Sequence, residues 1–184
     1  MDPMAGKLEV YIDNREKAPF QFPGHSTKWT TLRYGDYTAW GLKDIFEIER
    51  KSTFDMLATC VRRASWEAFL RKCARWETVV ERYGASRIVL VAGNITDVNQ
   101  LPYQVFKQIG ARGVDLYLHR VSILCQMGVS VLYAGSPELA AKMVLRMLGR
   151  ELAAREKGLT VTQAVYKRDP ELAPIAAATQ ASGA

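Results

Sequence analysis

Residues 35–55, GDYTAWGLKDIFEIERKSTFD, are the stretch from which the rest of the chain is read. Two β-prone runs, Tyr37–Trp40 and Ile45–Lys51, are separated by a turn at Gly41–Asp44. That is the pattern of a hairpin. Side chains alternate faces along a strand. Glu47, Glu49 and Lys51 are therefore expected on one side of the second strand, and Phe46 and Ile48 on the other. Asp36, at the head of the first strand, comes alongside them if the two strands pair. Ser52, followed three residues later by Asp55, reads as a helix start, with Ser52 as its N-cap.

Upstream, Lys7–Asp13 reads as a strand, Lys17–Lys28 as irregular because of Pro19, Pro23 and Gly24, and Trp29–Arg33 as β-prone. Downstream, Phe54–Arg62 and Ser65–Tyr83 read as helices. Trp66, Phe69, Leu70, Cys73, Trp76, Val80 and Tyr83 make an apolar stripe on the second, which Gly84 ends. Arg71, Lys72, Arg75 and Arg82 lie off that stripe. Arg87–Ala92 and Val129–Ala134 are near-continuous apolar runs, as expected of strands buried on both faces in a parallel arrangement. Gly93–Leu101 reads as a loop. A short helix over Pro102–Ile109, closed by Gly110, precedes a second over Val114–Met127. Ser136-Pro137-Glu138 starts a last helix that runs to about Lys157, with Leu139, Met143, Met147 and Leu152 on one face. The order predicts an α/β sandwich around a mixed sheet.

The chain has 184 residues, a net charge of +6 and 48% apolar residues. Disorder of the bulk is excluded, and no apolar run reaches membrane-spanning length. No signal peptide is visible at the start, so a cytoplasmic location is the expectation. The basic balance favours polyanion partners. Cys60, Cys73 and Cys125 form no C-x-x-C and are expected to be buried free thiols. Residues 1–6 are expected to be disordered and 159–184 to form a flexible tail. Trp29 and Trp40 are expected in the core, with stacking on unpaired bases as the alternative. His25 and His119 lack a partner at metal-ligand spacing.

Asp36 with Glu49-x-Lys51 also carries chemistry. Carboxylates gathered at one point suit a hard divalent cation such as Mg²⁺. Such an ion activates water and stabilises charge on a phosphoryl oxygen, and a neighbouring lysine adds to that stabilisation. Taken alone, Glu-x-Lys on a strand is the ordinary pattern of a solvated face, and Asp36 after Gly35 that of a turn.

The combination is more specific. The chain resembles the XPF-type nuclease domain of the PD-(D/E)XK superfamily, which carries a GD…ERKxxxD pattern. Here it reads Gly35-Asp36, Glu49-Arg50-Lys51 and Asp55, preceded by Asp13-Asn14-Arg15-Glu16 where the family has DxRE. The likeness covers residues 7–158 and implies a restriction-endonuclease-like three-layer α/β/α sandwich around a central mixed sheet. It implies that Asp36 and Glu49 bind Mg²⁺ or Mn²⁺, with Asp13 an additional acid beside the metal, and that Lys51 is the catalytic lysine. Arg15, Glu16, Arg50 and Asp55 take supporting places, with Arg50 expected to pair with an acid on the face opposite Lys51. For Asp55 helix capping is the equal alternative.

The implied activity is metal-dependent endonucleolytic cleavage of branched or flapped DNA, by a homodimer or heterodimer formed through the nuclease domains. Too little sequence follows Gly158 for the helix-hairpin-helix module that relatives often carry. This implies a stand-alone domain, as in phage or mobile-element enzymes. A Holliday-junction resolvase of the same superfamily and a non-catalytic DNA-binding or scaffolding module are the alternatives. Between Arg50 and Arg87, nine Lys/Arg outnumber four Asp/Glu, which supports a phosphate-binding face. Arg62, Arg63, Arg71 and Arg75 are its candidate contacts. Arg112, between two glycines, is a further loop candidate.

Overall fold

The computed structural model describes residues 7–83, 87–94 and 103–159. Six strands form one mixed sheet. They are β1 (Glu9–Asp13), β2 (Ser26–Thr30), β3 (Tyr37–Ala39), β4 (Ile48–Lys51), β5 (Arg87–Val91) and β6 (Val129–Tyr133), in the order β2-β1-β3-β4-β5-β6. β3 is antiparallel to both β1 and β4, and the remaining pairs are parallel. The helices are α1 (Thr53–Val61), α2 (Arg63–Tyr83), α3 (Tyr103–Gln126) and α4 (Pro137–Arg155).

The parallel half, β4-β5-β6, needs crossovers, and right-handed crossovers running the same way place their helices on one face. The α1–α2 pair links β4 to β5, and α3 links β5 to β6; α1 packs against both α2 and α3. The α/β sandwich around a mixed sheet is thus the architecture observed. Val89, Leu90 and Val91 of β5 are fully buried, as the unbroken apolar run requires. On α2 the stripe of Trp66, Phe69, Cys73 and Trp76 is buried.

Several local expectations change. β4 begins at Ile48, not Ile45, because residues 41–46 form turns and a bend. The buried Glu47 carboxylate there accepts hydrogen bonds from the backbone N–H groups of Tyr34 (2.7 Å) and Gly35 (2.6 Å). Glu47 therefore lies outside β4 and braces a turn. β2 starts at Ser26, inside the stretch expected to be irregular, where His25 Nδ1 accepts the Leu8 N–H at 3.1 Å.

The two helices expected over 102–127 are one, α3, which continues through Gly110. Glycine inside a helix costs only about 1 kcal/mol, and the helix absorbs it. Arg112 accordingly lies on α3, not in a loop. On α4 the buried face is Ala140, Ala141, Val144, Leu148 and Glu151, one residue off the expected stripe, and Leu139 is exposed. Trp29 and Trp40, expected in the core, are 50% and 68% exposed. β2 is an edge strand, and Trp40 lies just past the end of β3. Cys60 and Cys73 are buried, but Cys125 is exposed on α3. Among the described residues, no helix is long and apolar enough to cross a membrane. Gly84, residues 95–101 and the chain outside 7–159 lie outside the described residues.

Removing the Glu47 carboxylate strands two buried N–H groups. Glu47→Ala is expected to lower the unfolding free energy by about 2–4 kcal/mol, read as the shift in urea midpoint at unchanged m-value.

Candidate active site

Three neighbouring strands bring the acids together. Ile12 of β1 pairs with Tyr37 of β3, and Tyr37 pairs with Ile48 of β4. The next row of the sheet therefore holds Asp13, Asp36 and Glu49, on the opposite face from Ile12, Tyr37 and Ile48. Backbone hydrogen bonds lock that row: Asp13 N–H donates to the Asp36 carbonyl (2.9 Å) and Asp36 N–H to the Ile48 carbonyl (2.8 Å). Asp36 Oδ2 in turn accepts from the Arg50 N–H at 2.7 Å. Gly35 makes this approach possible, since a Cβ there would come within 2.9 Å of both Glu47 Cβ and the Ile48 carbonyl oxygen.

The three carboxylates do not serve alike. Both oxygens of Asp13 are engaged, with Arg15 Nε at 2.7 Å, Arg15 Nη2 at 3.0 Å, and the N–H groups of Arg15 and Leu32 at 2.9 and 2.7 Å. These hydrogen bonds and the Arg15 charge hold its pKa below the usual range although burial pushes the other way. Asp13 and Arg15 thus tie the end of β1 to the chain leaving β2.

Glu16 accepts the Ala18 N–H at 2.8 Å and faces Arg50 Nη1 at 3.4 Å. Arg50 also lies over the Phe20 ring, 5.5 Å from its centroid. The expected pairing of Arg50 with an acid away from Lys51 is met, and Glu16 is that acid. Asp55 serves the start of α1, whose N-cap is Ser52: the Asp55 N–H donates to Ser52 Oγ at 3.0 Å, and the Ser52 hydroxyl donates to Asp55 Oδ2 at 2.7 Å.

Asp36 and Glu49 remain as a pair, Glu49 buried and Asp36 half-buried. Burial first, and the Glu49 charge second, raise the Asp36 pKa to about 7. Lys51 Nζ lies 3.4 Å from Glu49 Oε1 and 4.8 Å from the Phe69 ring centroid. Glu49 Oε2 is taken by Lys72 Nζ of α2, in a direct hydrogen-bonded ion pair. The cation that most offsets the raised Asp36 pKa is likewise Lys72.

Sequence reading left Lys72 among the solvent-facing bases of α2. The signal was its position about 60° round the helix from Phe69, at the border of the apolar stripe. Arg71 and Arg75 are exposed, as are Arg62 and Arg63, and Arg63 pairs with Glu67 at 2.8 Å. Burial pushes the Cys60 thiol up to about 12 and Cys73 up to about 11, so both stay protonated.

Among the described residues, no three His, Cys, Asp or Glu form a metal-sized group. Two carboxylates nonetheless fit Mg²⁺, which is commonly held by one or two carboxylates together with water and substrate phosphate. Their mutual repulsion, with Glu49 buried and Asp36 half-buried, is an electrostatic demand that such a cation would meet.

Comparison with protein-family models gives no match, and comparison with curated proteins gives none either. Solved structures do match. One is XPF from Aeropyrum pernix, at a TM-score of 0.52 and 20% identity, covering 80% of this chain and 68% of that one. Another is XPF from Aeropyrum pernix in complex with DNA, at 0.53 and 21%, covering 82% and 66%. The chain has the XPF fold. The restriction-endonuclease-like α/β architecture expected from the GD…ERK pattern is thereby matched, and the chain spans about two thirds of the length of these XPF structures.

The raised Asp36 pKa has a consequence for stability. The folded state holds the Asp36 proton more tightly than the unfolded chain does, so stability falls as pH rises from about 4 to about 7 and then levels off. Asp36→Asn removes the ionisation. In EDTA it is expected to flatten that pH dependence and to stabilise the protein at pH 8 by on the order of 2 kcal/mol, checked by urea denaturation across pH.

Proposed function

We propose that the protein is a divalent-cation-dependent DNA endonuclease, acting on phosphodiester bonds near branch or flap junctions. The observation that carries this reading is the Asp36–Glu49 pair with Lys51 against Glu49, at the positions of the GD…ERK pattern on an XPF fold. The neighbour solved with DNA supports DNA as the substrate, and so does the net charge of +6.

Asp36 and Glu49 would hold Mg²⁺ or Mn²⁺, which when bound acidifies a water and neutralises charge on the phosphoryl group. Lys51 is held by the Phe69 ring and by Glu49, with its side chain 14% exposed. Its ammonium can donate to a phosphoryl oxygen as negative charge develops there. The Arg50–Glu16 pair, on the far side of β4, fixes the backbone whose N–H holds Asp36. Asp13 acts through β1 as a positioning residue. Arg62, Arg63, Arg71 and Arg75, exposed on or beside α2, would meet backbone phosphates. Pairing of two nuclease domains is part of the same reading.

The test is cleavage of labelled flap, fork, four-way-junction and duplex DNA with Mg²⁺, Mn²⁺ or EDTA. Cutting of a branched substrate is expected with metal only, and Glu49→Ala and Lys51→Ala should each reduce it by at least about 10²-fold. Salt-sensitive binding without cutting, unchanged in both variants, would instead make the protein a binding module.

A further inference from the structure

Lys72 stands outside the GD…ERK pattern, yet it makes the most direct contact to the carboxylate pair. Glu49 carries two ammonium groups, Lys51 on Oε1 and Lys72 on Oε2. With Asp36 and Glu49 ionised, the two lysines balance the two acids. A divalent cation on a carboxylate that already carries two ammoniums repels both of them, so its binding favours the release of one lysine.

The surroundings say which. Lys51 is 14% exposed, begins on a strand paired on both sides, and lies over the Phe69 ring. Lys72 is 31% exposed at the end of a four-carbon stem, and its neighbour on the buried stripe is Cys73. Helical side chains lean over the preceding turn, which for Lys72 carries Phe69. A lysine stem in that position can swing its head outward while the helix stays packed.

We propose that Lys72 is a displaceable counter-ion of the site. It holds Glu49 until a divalent cation binds, then releases that carboxylate and turns its ammonium to the DNA phosphate that enters beside the cation. The idea rests on the nuclease reading above. It makes Lys72 a substrate-binding residue and gives the site a coupling. In the absence of DNA, Lys72 competes with the cation for Glu49 and weakens its binding. When DNA is present, the phosphate takes Lys72 and removes the competition. Each ligand then strengthens the other by the same factor, as linkage requires.

The experiment titrates Mn²⁺ into the full chain and follows free Mn²⁺ by electron paramagnetic resonance. It compares wild type, Lys72→Met and Glu49→Gln, with and without a fork DNA carrying non-hydrolysable linkages. Methionine keeps the stem and removes the charge. Wild type is expected to bind Mn²⁺ about tenfold more tightly with DNA than without. Lys72→Met should bind it about tenfold more tightly than wild type without DNA, and gain little when DNA is added. Glu49→Gln should lose Mn²⁺ binding in both settings. Lys72→Met binding Mn²⁺ as weakly as wild type without DNA, or keeping the full DNA enhancement, overturns the role of Lys72 and leaves the cation site standing. No Mn²⁺ bound by wild type or Lys72→Met, with or without DNA, overturns the cation site and the Lys72 proposal together. Circular dichroism on each variant shows that it is folded.

Discussion

Two carboxylates sit side by side on neighbouring strands, largely out of water, and repel each other. That repulsion organises the rest of the site. After burial, it is the second cause of the raised Asp36 pKa, and it is relieved by Lys51 and Lys72 at the two oxygens of Glu49, where a divalent cation would be electrostatically favoured. Burying charge costs free energy unless it is paired. The fold holds the pair together because β3 is short, wedged between β1 and β4, and hydrogen-bonded to both. The carboxylates themselves contribute nothing to that hold except through the Arg50 N–H.

Support for the pair comes from residues whose side chains make their contacts elsewhere. Glu47 holds the turn at Tyr34 and Gly35. Gly35 lets the backbone pass close to Ile48. Asp13 with Arg15 fastens β1 to Leu32, and Arg50 with Glu16 secures the other face of β4. Five of these six are acids or bases in the same short segments as the candidate site. Residue type alone therefore does not separate bracing from chemistry; hydrogen-bond partners do. An aspartate whose oxygens meet an arginine fork and two backbone N–H groups is braced, whereas a glutamate touched only by lysine ammoniums can exchange them.

Much of the fold was legible in local pattern. The apolar runs at 87–92 and 129–134 announced parallel strands, and Ser52 and Ser136 announced helix starts, because those signals depend on a few adjacent residues. Burial on both faces holds for β5 alone: β6 is an edge strand in which only Val129 is buried. Alternation along β4 correctly separated Arg50 from Lys51. What failed depended on distant partners. Glu47 obeys the same alternation as Glu49, but a turn claims it before the strand begins. Gly110 resembles a helix stop, yet α3 runs through it. Trp29 and Trp40 are apolar in type and lie at the margin of the sheet, which only the strand order reveals. Lys72 is close to Glu49 in space and 23 residues away in sequence. The register of α2 against β4 that joins them is a tertiary fact.

The central claim is that Asp36 and Glu49 form a divalent-cation site. Crystals soaked in Mn²⁺, with diffraction data collected at the manganese edge, test it directly. The account predicts an anomalous peak within about 2.2 Å of a carboxylate oxygen of each residue, absent in crystals of Glu49→Gln. Manganese bound elsewhere, with Asp36 and Glu49 free of it at saturating concentration, would contradict the claim.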